Sequence, residues 1–293
     1  MVTVGVAHKG MNVRIANIAG RLKLLVGGGA VDVAKASGGR FGADPHAVFG
    51  RMAELSAWAS NVTQADEAWD AAVADAPVPA PRQVFAIGLN YSEHAAESGF
   101  DAPEAPVVFT KWPSSLSGPV SDVVLPPGSV DWEVELVAVI GATARRVSVE
   151  RAWEVVCGLT VGQDLSERQM QRSGPAPQFG LAKSHAGFAP IGPLMVTPEE
   201  LDRPDDLGLG CDINGEKVQD GRTRDMIFTV PQLVAHLSAV VTLWPGDLIF
   251  TGTPPGVGIG RTPPRFLTPG DRLHSWVEGI GDLHQRFVVE EAQ

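Results

Sequence analysis

The chain has 293 residues, 44% of them hydrophobic and 19% charged, the balance of a globular protein with a full core in one large domain or a large and a small one. A formal net charge of −11 weighs against nucleic acid or an anionic membrane surface as partner. No run approaches the ~18 apolar residues of a membrane span and the N-terminus lacks the order of a signal peptide. Cys157 and Cys211, the two cysteines, make neither a disulfide framework nor a zinc pattern, so a cytoplasmic protein with buried thiols is expected.

In chain order, short strands are expected over residues 2–6, 13–18 and 22–26. A helix follows over 45–58, with Asp44 as N-cap and Pro45 in its first turn. The Pro-rich segment 75–81 reads as extended and poor in packing residues. It divides a small N-terminal cap domain (1–76) from a larger catalytic domain (77–293). Beyond it, β-type runs recur at 84–88, 107–110, 132–140, 248–251 and 287–289, with helical signals at 92–98, 148–155 and 230–243. Thirty-three Gly and 23 Pro, scattered along the chain, suit the many tight turns of a strand-rich fold. Without βαβ alternation, the pattern favours an α+β, β-rich roll or sandwich over a doubly wound sheet.

Within the run 131–140, Glu133 and Glu135 are two apart on a strand and point the same way. Adjacent carboxylates raise each other's pKa unless a positive charge lies between them, and a hard divalent cation is the simplest resident. The alternative is the wet face of an edge strand. Asp164 ends an apolar run starting near Val156, where a strand delivers a side chain to a site rim. Three carboxylates plus waters suit octahedral Mg2+ or Mn2+; alone, Asp164 reads equally as a turn former.

His94 and Glu97, at i and i+3, share one face of a short helix. A carboxylate beside imidazole fixes the tautomer and raises basicity, the arrangement for drawing a proton from water; a surface His–Glu pair is the plainer reading. Lys183 and Lys111 are solvated surface lysines or, near a carboxylate-rich site, holders of a substrate carboxylate or oxyanion. Tyr91, the single tyrosine, packs in a core by default and is carried as a substrate-side candidate. In the segment 246–258 a strand runs into a Gly/Pro turn whose amides, with the Thr253 hydroxyl, are placed to grip an anion. Its glycines do not make a dinucleotide loop, because Pro263 and Pro264 forbid the helix that must follow. Gly27-Gly28-Gly29 is a similarly weak mimic of an NAD site.

Seven segments in order, GLNYSEHAAESG, VVFTKWPSSLSGP, DWEVELVAVIG, GQDLSERQMQ, LAKSHAGFAPIGP, QDGRTRDMIFTV and PGDLIFTGTPPGVG, resemble the fumarylacetoacetate hydrolase superfamily, in its bacterial acylpyruvase branch, from about residue 82 to 289. The resemblance implies a mixed β-roll core, a homodimer, and Mg2+ or Mn2+ on Glu133, Glu135 and Asp164. It also implies a water-activating pair, His94 and Glu97, on a mobile lid, with Lys183 at the oxyanion. Arg168 and Gln171 fall on the substrate side and Thr253 near the substrate carboxylate. The implied reaction is metal-dependent hydrolysis of a carbon–carbon bond in an acylpyruvate-like β-diketo acid, giving pyruvate or a related 2-oxo acid plus a carboxylic acid. Oxaloacetate decarboxylation and isomerisation or hydration of a dienoic diacid use the same platform. A binding protein that had lost turnover would lack one of these residues, and all are present. Trp112 and His185 depart from the usual pattern, at positions expected to shape the acyl pocket.

Overall fold

The computed structural model describes residues 12–97, 99 and 101–290; the strand expected over 2–6 lies outside them. Val134–Ile140 is the middle of an eleven-stranded sheet. It pairs antiparallel with Val156–Gln163 on one side and Leu248–Phe250 on the other. Leu248–Phe250 runs parallel to Val84–Gly88, which pairs with the edge strand Val107–Thr110. On the far side Val156–Gln163 pairs with Ala189–Val196, and that strand with Arg14–Ile18. A meander of Arg21–Val26, Gly29–Asp32 and Glu67–Ala68 extends the sheet, and Leu116–Ser117, parallel to Ala189–Val196, is its eleventh strand. Gly27 and Gly28, both at positive φ, form the tight turn of this meander, which only glycine takes at no steric cost.

A five-stranded sheet packs over the large one. Its order is Glu216–Arg222, Gly208–Ile213, Arg272–Val277, Gly281–Val288 and Val120–Val124. All seven residues of Val134–Ile140 are buried, because the strand has a core on each face. Val134, Leu136, Ala138 and Ile140 join Leu209, Ile213, Leu273 and Phe287 between the sheets. Val137 and Val139 join Leu22, Phe49, Met52 and Leu55 on the opposite side. Side chains alternate along a strand, so the face of Val137 and Val139 is the one that carries Glu135 and, one step before the strand begins, Glu133. The fold is the strand-rich mixed β-roll architecture expected.

The N-terminal strands hydrogen-bond directly into the large sheet, with Arg14 opposite Val196 and Ile15 opposite Met195. The Asn17 side-chain amide donates to the Ala76 carbonyl at 2.9 Å. Sheet and lower core therefore run without a break across residues 75–81. The segment expected as one helix over 45–58 is a 3-10 turn, Pro45–Arg51, followed by an α-helix, Met52–Ala59. Asp44 caps it, accepting from the His46 amide at 2.9 Å. Ala189–Val196, fully buried, carries Pro190 and Pro193, which remove ladder donors. The register against Val156–Gln163 shifts between Leu159 and Val161 to accommodate it.

Candidate active site

Three strand ends and one loop converge above the large sheet. Glu133 precedes Val134–Ile140, and Asp164 follows Val156–Gln163. The Asp164 amide donates to the Glu133 carbonyl and the Glu133 amide to the Gln163 side chain, at 2.9 and 2.8 Å. Oxygens of Glu133, Glu135 and Asp164 lie within 4.8 Å of one another, all three residues buried. Lys183 donates to Glu133 Oε2 and to Asp164 Oδ2, both at 2.6 Å. Lys111, with no exposed side-chain surface, donates to Asp164 Oδ1 at 2.6 Å and to the Lys183 carbonyl.

Burial, with Asp164 and then Glu133 nearby, pushes the Glu135 carboxyl well above the usual range. Burial acts on Glu133 in the same sense, but the charges of Lys183 and Arg168 outweigh it and hold that carboxyl low. For Lys183 burial opposes the charge, and Asp164 and Glu133 reverse the effect and raise its pKa. The cluster is thus short of positive charge at Glu135. An all-oxygen donor set of this kind fits a hard divalent cation.

The turn after Leu248–Phe250 has its anions, and they are the protein's own. The Gly252 amide donates to Glu135 Oε2 at 2.7 Å. The Gly256 amide donates to the Glu97 carboxylate at 2.9 Å. Asp131 accepts from the Gly258 and Ile259 amides at 2.7 and 3.0 Å. The Thr253 hydroxyl donates to the Val134 carbonyl at 2.8 Å and accepts from Gln219 at 2.8 Å. The amides of Gly252, Gly256, Gly258 and Ile259 thus orient carboxylates of the chain itself. Asp131 also takes Arg168 Nε at 2.8 Å, a role that no spacing in the sequence singles out.

His94 Nδ1 lies 2.9 Å from Glu97 Oε1 on the helix Ser92–Glu97. Asn90, just before that helix, donates to the Thr251 and Phe228 carbonyls at 2.7 and 2.9 Å. The His–Glu pair is therefore docked on the loop that also holds Glu135. Glu167 caps the helix Arg168–Gln171, accepting from the Gln169 and Met170 amides. That cap aims Arg168 at Glu133, 2.7 Å away.

A cavity of ≈ 300 Å³ opens over the cluster. His94, Glu133, Arg168, Gln171, Lys183 and Thr253 line it, as do Leu89, Pro177, Phe179 and Ile259. Leu89 sits at φ 57°, a left-handed conformation that a branched residue takes only when its surroundings enforce it. Lys111 and Tyr91 are not in the lining. Lys111 is consumed behind Asp164, and Tyr91 is buried on a bridge to Met226. Burial, then the charge of Glu135, raises the Tyr91 phenol, so it stays neutral. Trp112 and His185 also stand outside the lining: Trp112 is 47% exposed, close against Gly180, and the His185 ring packs on Phe188 at 4.8 Å.

Residues 83–288 match the model of the fumarylacetoacetate (FAA) hydrolase C-terminal family. The chain belongs to this family. A Mycobacterium smegmatis protein with the provisional name HpcE shares 55% identity and a TM-score of 0.90 with this family member, over 95% of this chain and 100% of that one. The human mitochondrial oxaloacetate tautomerase FAHD2A is 42% identical over 215 residues, 73% of this chain and 68% of its own. Fumarylpyruvate hydrolase from Pseudomonas aeruginosa, crystallised with Mn2+ and pyruvate, shares 33% identity and a TM-score of 0.66 over 72% of this chain and 91% of that one. Among the described residues no helix is long and apolar enough to cross a membrane.

Proposed function

We propose that the protein is a divalent-metal-dependent hydrolase that cleaves a carbon–carbon bond in an acylpyruvate-like β-diketo acid. The observation that carries this reading is that His94, paired with Glu97, lines the same cavity as Glu133 and Lys183 of the carboxylate–lysine cluster. Glu133, Glu135 and Asp164 would hold Mg2+ or Mn2+, the kind of ion seen in the Pseudomonas relative. When bound, such an ion supplies a Lewis acid for the 2-oxo acid end of the substrate.

The chain's own residues supply the rest. Glu97, fixed by the Gly256 amide, holds His94 through Nδ1 and leaves Nε2 as the nitrogen that takes a proton from water. The water oxygen adds to the distal carbonyl carbon, and the bond from that carbon to the adjacent CH2 breaks. Its electron pair stays with the 2-oxo acid fragment, which takes a proton to become pyruvate; the acyl fragment leaves as a carboxylate. Two of the three Lys183 N–H groups are spent on Glu133 and Asp164, leaving one for the developing oxyanion. Arg168, tied to Asp131, Glu133 and Gln171, presents a fixed cation to the substrate.

The test is pyruvate release from acetylpyruvate and fumarylpyruvate with Mg2+ or Mn2+. Turnover is expected to vanish with a chelator and to fall roughly 10²- to 10⁴-fold in His94→Gln; full activity of that variant would refute the role of the pair. The 42% identity to a tautomerase favours one second reading, keto–enol exchange of oxaloacetate at the same proton-transfer pair. Ultraviolet loss of the enol without pyruvate release identifies it.

A further inference from the structure

Resting on the 2-oxo acid reading above, we propose that Arg172 is a specificity-determining residue that selects substrates bearing a second carboxylate at the end remote from the 2-oxo acid. Arg168, Gln171 and Arg172 stand at i, i+3 and i+4 of one helical turn, a spacing that places them on one face, and all three line the cavity. The Arg168 charge is matched by Asp131 and Glu133, and the Gln171 side-chain oxygen accepts from Arg168 Nη1. The Arg172 guanidinium, exposed at the rim, has no side-chain partner among the described residues.

The charge balance shows what is left for it to do. Asp131, Glu133, Glu135 and Asp164 face Lys111, Lys183 and Arg168. A dication brings that inner cluster to one formal positive charge, which a single 2-oxo acid carboxylate neutralises. Arg172 is surplus to that balance. The rest of the lining is mostly apolar, with Leu89, Pro177, Phe179 and Ile259. A cavity of ≈ 300 Å³ that carries the cations of the inner cluster and a separate rim guanidinium on an otherwise mostly apolar lining matches a small dicarboxylate with an apolar or unsaturated middle. A guanidinium fork pairs with a carboxylate through two parallel hydrogen bonds, which gives selection by geometry as well as charge.

The experiment compares kcat/KM for fumarylpyruvate and acetylpyruvate, which share the reacting core and differ in the distal carboxylate. The Mn2+-loaded wild type is expected to prefer the dicarboxylate. Arg172→Ala should shrink that preference roughly 10- to 100-fold, mainly through KM, Arg172→Lys should recover part of it, and Arg172→Glu should invert it. The readout is a ratio, so a general loss of activity does not move it. An unchanged ratio in Arg172→Ala overturns the proposal. A chain that turns over neither acid refutes the hydrolase reading alone. Calorimetric binding to the Mn2+-loaded protein then decides on Arg172: oxaloacetate tighter than pyruvate in wild type but not in Arg172→Ala supports it, and equal affinities in wild type overturn it.

Discussion

At the residue scale, the site is a problem of compensating buried charge, and Lys111 is its hidden member. Burial presses the Lys111 ammonium toward its neutral form, and the charge of Asp164 resists. Removing one partner of a buried ion pair strands the other, which costs about 3–5 kcal/mol. Lys111→Met is therefore expected to lower the melting temperature of the metal-free protein markedly. Mn2+ supplies positive charge to the same carboxylates, so its addition should raise the melting temperature more in the variant than in the wild type. Thermal melts with and without Mn2+ check this, and equal metal-induced shifts would remove Lys111 from the charge balance. Glu133 and Glu135 were legible in the sequence because strand periodicity alone puts them on one face. Asp131, two residues earlier, falls in the same period, but periodicity does not say what it binds. Its partners, the Gly258 and Ile259 amides and Arg168, come from distant parts of the chain, so its role exists only once the chain is folded.

At the scale of elements, the loop from Thr251 to Gly260 orients three carboxylates at once and tolerates little added bulk. A Cβ on Gly258 would lie 1.9 Å from the Arg265 carbonyl oxygen and 2.7 Å from Asp131 Oδ1. Gly258→Ala is expected to cost about 1–3 kcal/mol through overpacking. It should also cut kcat/KM by roughly tenfold or more, since displacing Asp131 frees Arg168; wild-type kinetics in this variant would show that the loop does not set the site. The same loop marks where sequence reasoning stopped. Its capacity to bind anions was visible in the Gly/Pro pattern, but which anion it binds is a tertiary fact. Strands such as Val84–Gly88 and Val107–Thr110 fell at their expected bounds because their apolar runs are cleanly punctuated. Ala189–Val196 is masked in the sequence by two prolines and a glycine, whereas the turn Asn214-Gly215, with both residues at positive φ, is a local hairpin signal. On the outer sheet, His274 lies between Asp212 and Asp282, at 2.7 and 2.9 Å, and stacks on His284 at 4.8 Å. Burial lowers the His274 pKa, but Asp282 and Asp212 reverse this and raise it; burial and then His274 lower that of His284. A raised histidine stabilises fully below its unfolded pKa of about 6.5, and that gain is lost as pH rises through its folded pKa. A lowered histidine does the reverse, destabilising as pH falls. His284→Gln removes the penalty and the repulsion together, so the rise in melting temperature from pH 8 to pH 6 should be larger in the variant. An equal or smaller rise would show that the two rings do not oppose each other.

At the scale of the whole molecule, an acidic protein and the acidic substrate proposed for it are consistent once the charges are located. Four of the acids behind the formal net charge of −11 are buried in the site, Asp131, Glu133, Glu135 and Asp164, where Lys111, Lys183 and Arg168 face them and Arg172 stands at the cavity rim. The fold makes this possible by setting Glu133, Glu135 and Asp164 on or beside neighbouring strands of one continuous sheet. That continuity bears on the division expected at residues 76/77. Val13, Ile15, Leu22 and Leu24 pack with Val84, Ala86, Val137, Val139 and Met195 in one core, and Arg14–Ile18 covers the edge of Ala189–Val196. A chain cut at Pro77 would expose that strand edge and half of that core, a setting for aggregation rather than for an independent domain. The intact chain is therefore expected to unfold in one calorimetric transition, with calorimetric and van't Hoff enthalpies in agreement. Because Val137 and Val139 lie on the strand that carries Glu135, loss of Mn2+-dependent activity on heating should coincide with that single transition. A separate low-temperature transition that leaves activity intact would show instead that residues 1–76 fold and melt as their own unit.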